Sequence, residues 1–277
     1  MAQTINTNLQ SINAQRNVAM SQLSLSTSMQ RLSSGLRLNS AKDDAAGLAI
    51  SERMNAQVRG MNVAVRNAND GISLSQTAEG ATGKIGDALQ RMRELAVQSA
   101  NGTNNDGDRD NLQTEFSQLQ AEVTRLVDGT KFNDKNLLNA ATTFTFQVGA
   151  GTDATDTINV DLTDLKGTVD TPVAALDISG ADATGANAAI DALDTAIDSV
   201  TTARANLGSV QNRFEGVISN LMISSENLTA SRSRIVDADF AVETANLSRA
   251  QILQQAGNAM VAQANQQPQQ VLALLRG

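Results

Sequence analysis

One stretch of the chain places oxygen ligands at a spacing that could hold a metal ion. Counted from Asn104, the side chains of Asp106 and Asp108 and the closing carboxylate of Glu115 follow the ligand ladder of a calcium loop. The sixth position of that ladder must turn sharply and needs Gly, and here it is Arg109. A polar loop leading into a helix N-terminus is therefore the better reading. The wider inventory is narrower still, because the chain contains no Cys, no His, no Trp and no Tyr. Thiol nucleophiles, imidazole bases, disulfides and Cys or His metal sites cannot be assembled from it. It carries neither a Gly-Lys-Ser/Thr phosphate loop nor a nucleophile elbow. The expectation is a protein without catalysis, metal or cofactor, whose function lies in its surfaces.

Charge is distributed unevenly. The formal net charge of the 277 residues is -8. Residues 151–200 hold ten Asp against the single Lys166, whereas the rest of the chain is close to neutral. Without a clustered basic face or stacking aromatics, nucleic-acid binding is not expected. The Asp-rich stretch predicts a solvated, exposed segment. The longest apolar run, residues 271–275, is far short of the ~20 residues that span a bilayer, so no membrane insertion is expected. The first residues also lack the apolar core of a cleavable secretory signal, since polar residues separate Ile5, Leu9 and Ile12.

The elements that must position any surface are helices. Across residues 190–235 the alternating 4/3 positions are Ile190, Leu193, Ile197, Val200, Arg204, Leu207, Gln211, Phe214, Ile218, Leu221, Ser225, Leu228, Arg232 and Ile235, most of them apolar. Similar stripes pass through Ile50 to Ile72, through Leu74 to Leu95, and through Leu112, Phe116, Leu119, Val123 and Leu126. Ser40 with Asp43 predicts a capping box opening a helix near Asp44, residues 101–108 read as a loop, and Asp128-Gly129 ends the helix after it. Glycines at 71, 80, 83 and 86 weaken the second helix unless they let neighbours approach closely. The period then changes to two. Phe144, Phe146 and Val148 face Ile158, Val160 and Leu162 across a Gly-rich turn, a hairpin signal, and residues 163–188 read as a short surface excursion.

The two ends are unusual. Residues 1–30 carry one charged side chain, Arg16, and residues 250–275 carry none. Both nevertheless keep apolar stripes: Ile5, Leu9, Ile12 and Leu23 in the first, and Leu253, Met260, Val271 and Leu274 beside small residues in the second. Opposite those stripes lie Gln, Asn, Ser and Thr, which can be buried without the cost of burying charge. The ends are expected to pair out and back with each other and to be surrounded by further copies of the chain. Pro268 predicts a kink or local end in the last helix.

Several long segments then resemble bacterial flagellin. They are RLSSGLRLNSAKDDAAGLAISERM at 31–54, NANDGISLSQTAEGA at 67–81, LQRMRELAVQSANGTN at 89–104, TKFNDKNLL at 130–138, and SRSRIVDADF through the C-terminus from 231. The resemblance implies a mainly α fold: a long antiparallel coiled-coil rod with a small β-hairpin element and with N- and C-terminal helices paired. The implied organisation is 1–43 as the N-terminal half of the inner pair with its connector, 44–140 as the first part of the rod, 141–188 as hairpin and short variable surface, 189–235 as the returning rod helix, and 236–277 as the C-terminal half of the pair. Flagellins with large outer domains have far more sequence in the middle.

The resemblance also implies function. The chain would be a structural subunit polymerising into a helical filament for motility, exported by the flagellar type III apparatus to an extracellular flagellum. Implied partners are many copies of itself, an export chaperone, the filament cap and hook-associated proteins. Host flagellin receptors are a further implied class: residues 30–51 resemble the peptide seen by the plant receptor. Leu89, Gln90, Arg91, Glu94, Leu95 and Glu115 match the surface bound by the animal Toll-like receptor for flagellin. A hook–filament junction protein, which shares terminal heptads, is the alternative, and a secreted adhesin a more distant one.

Overall fold

A computed structural model describes the backbone of residues 7–276 and the side chains of residues 7–266. The stripes become long helices: α1 (Leu9–Ser34), α2 (Ala45–Ser99), α3 (Asp106–Gly129), α5 (Thr184–Val236) and α6 (Phe240–Arg276), with a short α4 (Thr171–Ala174). Between α3 and α4 lie two small antiparallel hairpins, β1 (Lys131–Phe132) with β2 (Lys135–Asn136) and β3 (Thr142–Gln147) with β4 (Thr157–Leu162). The fold is mainly α. Helix ends are set by short polar side chains, as their competition with the backbone dictates. Gly35 ends α1 at φ 70°, a conformation that favours glycine.

The expected capping box at Ser40 and Asp43 closes a turn of its own. Asp43 accepts hydrogen bonds from the Ser40 and Asn39 backbone N–H groups, while Asp44 accepts from Gly47 N–H at 2.9 Å and so caps α2. A true capping box opens α3, where Asn105 and Asp108 each accept from the other's backbone. Asp108 of the metal-like ladder is thus a helix cap. Helix α6 continues through position 268 to Arg276, so the local end expected at Pro268 does not occur.

The chain divides into two compact units, Met1–Ala56 with Asn227–Gly277, and Gln57–Glu226. In the second, α2 and α5 run antiparallel: Gly71 lies against Phe214, Gln211 donates to Glu79 Oε2 at 2.8 Å, and Arg93 pairs with Asp194. Phe116, Phe214, Leu74, Ile85, Leu89 and Met92 form its fully buried centre. The seam departs from its expected register at one point. Ala203 is buried and Arg204 exposed, because a three-residue step after Val200 keeps the charge in water.

The hairpin β3–β4 has the register Phe144↔Val160 and Phe146↔Ile158, with the ring of Phe146 edge-on to Phe214 at 5.6 Å between centroids. The tighter β1–β2 hairpin was not anticipated. Its turn residues Asn133 and Asp134 adopt φ 47° and 62°, as a two-residue primed turn requires.

The segment after β4 corrects a sequence-based expectation. Leu165, Val169, Val173 and Ile178 are buried, so residues 163–178 are no solvated excursion. Their four- and five-residue spacing lays one face on α3, where Gln120 Nε2 donates to the carbonyls of Val173 and Leu176. Even Asp170 is buried, accepting from the Thr124 hydroxyl at 2.6 Å. Arg109 holds the far end: its buried guanidinium donates to the carbonyls of Ser99 and Gly180, while the Ser99 hydroxyl donates to Ile178 O.

Of the α2 glycines at 71 and 80, only the first is needed for close approach. A Cβ at 71 would lie 2.5 Å from Phe214 Cζ, whereas one at 80 would meet nothing within 4 Å. The expectation that glycine admits a neighbour fails at 80 and 83, which face open space. Gly80→Ala should therefore raise stability by about 0.5–1 kcal/mol and Gly71→Ala should lower it, read as opposite shifts in thermal midpoint. Equal shifts for both would contradict the Phe214 contact.

Candidate functional site

The paired ends form the first unit's main feature. In α1 the residues that lose exposure are Ser11, Ala14, Val18, Ser21, Leu25 and Ser28, a 3/4 repeat made mostly of small and hydroxylic side chains. In α6 they include Glu243, Leu247, Ala250, Gln254, Gly257 and Ala264. The two helices are antiparallel, since Arg31 approaches Glu243 at 4.0 Å while Ser11 Oγ donates to Asn265 Oδ1 at 2.7 Å. Between those points a Cβ on Gly257 would lie 2.6 Å from Val18 Cγ2, so only glycine fits there. The connectors continue the pairing: Leu36 bridges Asp237, Arg37 N–H donates to Val236 O at 2.7 Å, and the Arg37 guanidinium donates to Ile235 O.

Many of the large apolar residues of both helices are exposed on other faces. Leu9 is 68% exposed, Leu23 71%, Leu253 52% and Met260 59%, with Ile12 similarly open. Leu23 and Leu253 line a groove of about 760 Å³, and Leu253 and Met260 a second of about 460 Å³. Ile5 lies outside the described residues, as do the side chains of Val271 and Leu274. Fully burying a side chain of this size is worth about 1.5–3 kcal/mol, and at these exposures most of that remains to be gained from another surface. Sequence reasoning placed Gly257 on the same repeat as Leu253 and Met260 but missed the inward Ser11 and Ser28. Their signal was the 3/4 spacing of small residues.

The second unit carries a polar cluster at a position marked in the sequence. Arg91 Nε donates to Glu115 Oε1 at 2.9 Å and its Nη1 to Glu94 Oε2 at 2.8 Å. These two carboxylates, Glu94 foremost, hold the Arg91 guanidinium above its ordinary pKa. Gln90 is exposed beside it. Leu89 and Leu95 are not part of this surface: at 0% and 1% exposure they belong to the core, because they fall on the inward stripe of α2.

Five carboxylates elsewhere are held below their usual values: Asp43 by the Ser40 and Asn39 N–H groups, Glu122 by Arg125, Asp177 by Ser179, Asp182 by Thr184, and Asp194 by Arg93. A carboxylate with a lowered folded pKa supplies stability that is complete above its unfolded pKa and is lost as pH falls through the folded one. With no His or Cys, no side chain has an ordinary pKa between about 5 and 9. The thermal midpoint should stay level from about pH 9 to 5 and fall below about pH 4, with a shallower acid fall in Asp194→Asn. A midpoint that varies between pH 6 and 8 would contradict this.

The candidate site of this mainly helical protein is a pair of helices poor in charge, with large apolar side chains exposed on their outer faces. Among the described residues no group of three or more acidic side chains is placed to hold a metal ion, and no helix is long and apolar enough to cross a membrane. Comparison with known proteins gives the family. The profile of the bacterial flagellin N-terminal helical region matches residues 5–143, and that of the flagellin C-terminal helical region matches residues 190–275. Flagellin of Halalkalibacterium halodurans is 50% identical over 273 residues, 98% of this chain and 99% of its own. The flagellar filament 33 kDa core protein of Treponema phagedenis is 42% identical over 98% of this chain and 99% of its own. A solved structure titled as a putative flagellar hook-associated protein from Vibrio parahaemolyticus has a TM-score of 0.58 over 70% of this chain and 100% of its own; at 13% identity it shows a shared fold alone. The chain belongs to the bacterial flagellin family.

Proposed function

We propose that this chain is the structural, non-enzymatic subunit of an extracellular bacterial flagellar filament. The observation that carries the reading is the inversion of the terminal helices: small and polar side chains face inward, and Leu9, Ile12, Leu23, Leu253 and Met260 face out. Such faces gain stability when covered, and they carry few charges to desolvate, although Arg31, Glu243 and Arg249 also line the groove of Leu23 and Leu253. Contact between different faces of successive copies does not close into a ring and grows an open helical tube. Ile5, Val271 and Leu274 are assigned to the same surface by their place in the sequence stripes alone. Full-length similarity to a flagellin and to a filament core protein supports a filament subunit over the hook–filament junction reading.

The remaining roles rest on family membership and on local geometry. Export through the flagellar type III apparatus with a chaperone, assembly under a cap complex, and attachment to hook-associated proteins follow from a filament role. Recognition by host flagellin receptors is supported by the exposed cluster of Gln90, Arg91, Glu94 and Glu115, where Arg91 offers a planar guanidinium with several donors. Leu89 and Leu95 contribute by holding that helix in the core.

Two measurements test this. Purified full-length chain should form long tubes under negative stain, and Leu23→Asn with Leu253→Asn should abolish them while leaving the thermal midpoint of the second unit unchanged. Tubes of normal length from the double variant would overturn the assignment of the outer face. Arg91→Ala should lower receptor signalling at least tenfold at unchanged helix content, a loss in the range of an interface hot spot. Unaltered signalling would remove Arg91 from the recognition surface.

A further inference from the structure

Pro268 sits inside a helix that does not break. In a regular helix the carbonyl of Ala264 accepts the N–H four residues on, and at 268 that residue is a proline with no N–H to give. The carbonyl is not left vacant: Asn8 Nδ2 donates to Ala264 O at 2.7 Å, across 256 residues of sequence. The same side-chain amide works in the other direction as well. Its Oδ1 accepts Ser11 N–H at 3.2 Å and so caps the first turn of α1. One residue further along α6, Asn265 Oδ1 accepts from Ser11 Oγ, which in turn accepts from Gln15 Nε2.

We infer that Asn8 and Pro268 are a matched pair: the Asn8 amide replaces the missing proline N–H, and so makes Asn8 the positioning residue that sets the register of the two terminal helices. The proline removes Ala264's intrahelical partner, and only a donor from α1 at one position along α6 restores it. A shift of either helix by one residue would leave that carbonyl unpaired and carry the Asn8 donor to a carbonyl already bonded within α6. The proline thereby creates a unique acceptor on an otherwise repetitive surface. Asn is required at 8 because it must accept on one side and donate on the other; Asp, Ser and Thr cap equally well but do not reach Ala264 with a donor of this length.

The inference rests on the filament role, and its test is chosen so that the two fail separately. In full-length protein, Asn8→Asp keeps the cap and loses the donor, and Pro268→Ala returns the intrahelical N–H. The critical subunit concentration for tube growth should rise about fivefold to a hundredfold in Asn8→Asp, the cost of an unpaired carbonyl. In a Pro268→Ala background the same substitution should change it less than about twofold. The cycle is repeated with Asn8→Ser, which carries no charge, and read a second time as the temperature at which tubes dissolve. An equal effect of the Asn8 substitutions in both backgrounds, or none in the Pro268 background, would overturn the pairing. Failure of the unaltered chain to polymerise would instead strike the filament reading.

Discussion

The contact between Val18 and Gly257 governs the terminal unit. Two helices can approach that closely only where a facing side chain is small, so Ser, Ala and Gly recur along the seam between Val18, Leu25 and Leu247. Many of the bulky apolar residues are displaced to the outside by the same requirement. What would be an ordinary core stripe in a self-contained bundle becomes an exposed one, and the polar residues that replace charge keep that exterior cheap to dehydrate. Close internal packing and outward stickiness are two results of one steric condition.

The second unit follows the opposite rule. Its large side chains, Phe116, Phe214, Leu74 and Ile85 among them, are fully enclosed, and most of its charges sit at the surface, some in pairs such as Arg93 with Asp194 and Lys166 with Asp128, while Arg109 and Asp170 are buried on hydrogen-bond partners. Surface pairs of this kind add little stability individually, so burial of the largely aliphatic centre, with its two enclosed Phe rings, contributes most. A unit with its own satisfied core can display a surface to solvent and to other molecules. The terminal unit cannot do so without leaving its outer leucines wet.

Much of this was legible in the chain. A 3/4 repeat sustained over dozens of residues has few solutions other than long paired helices, and the alternation of Phe144 and Phe146 with Ile158 and Val160 marks a hairpin equally well. The outward residues of α1 and α6 were legible because apolar stripes without opposing charge are rare in a self-contained protein. The misses have local causes. Which of two overlapping stripes on α1 turns inward depends on the size of the facing residue, and periodicity carries no information on that. Leu89 and Leu95 differ from Gln90 and Arg91 only by rotation about one helix axis. In 163–178 four apolar residues were outvoted by the composition around them, although burial is decided by the face and not by the average. At 268 the proline removes an intrahelical donor, and the carbonyl it leaves is met by Asn8 from the far end of the chain, a pairing no local pattern reveals.

The clasp made by Arg109 also divides the variable middle into a fixed part and a free part. Up to Ile178 the segment is pinned by buried apolar side chains and by the Ser99 hydroxyl, and the guanidinium seizes Gly180 just beyond. Ala181 and Asp182 follow in the open, immediately ahead of α5. A graft of foreign sequence, or an evolutionary lengthening of this region, therefore has a low-cost point of entry between those two residues. The same addition twenty residues earlier would have to displace part of the hydrophobic centre.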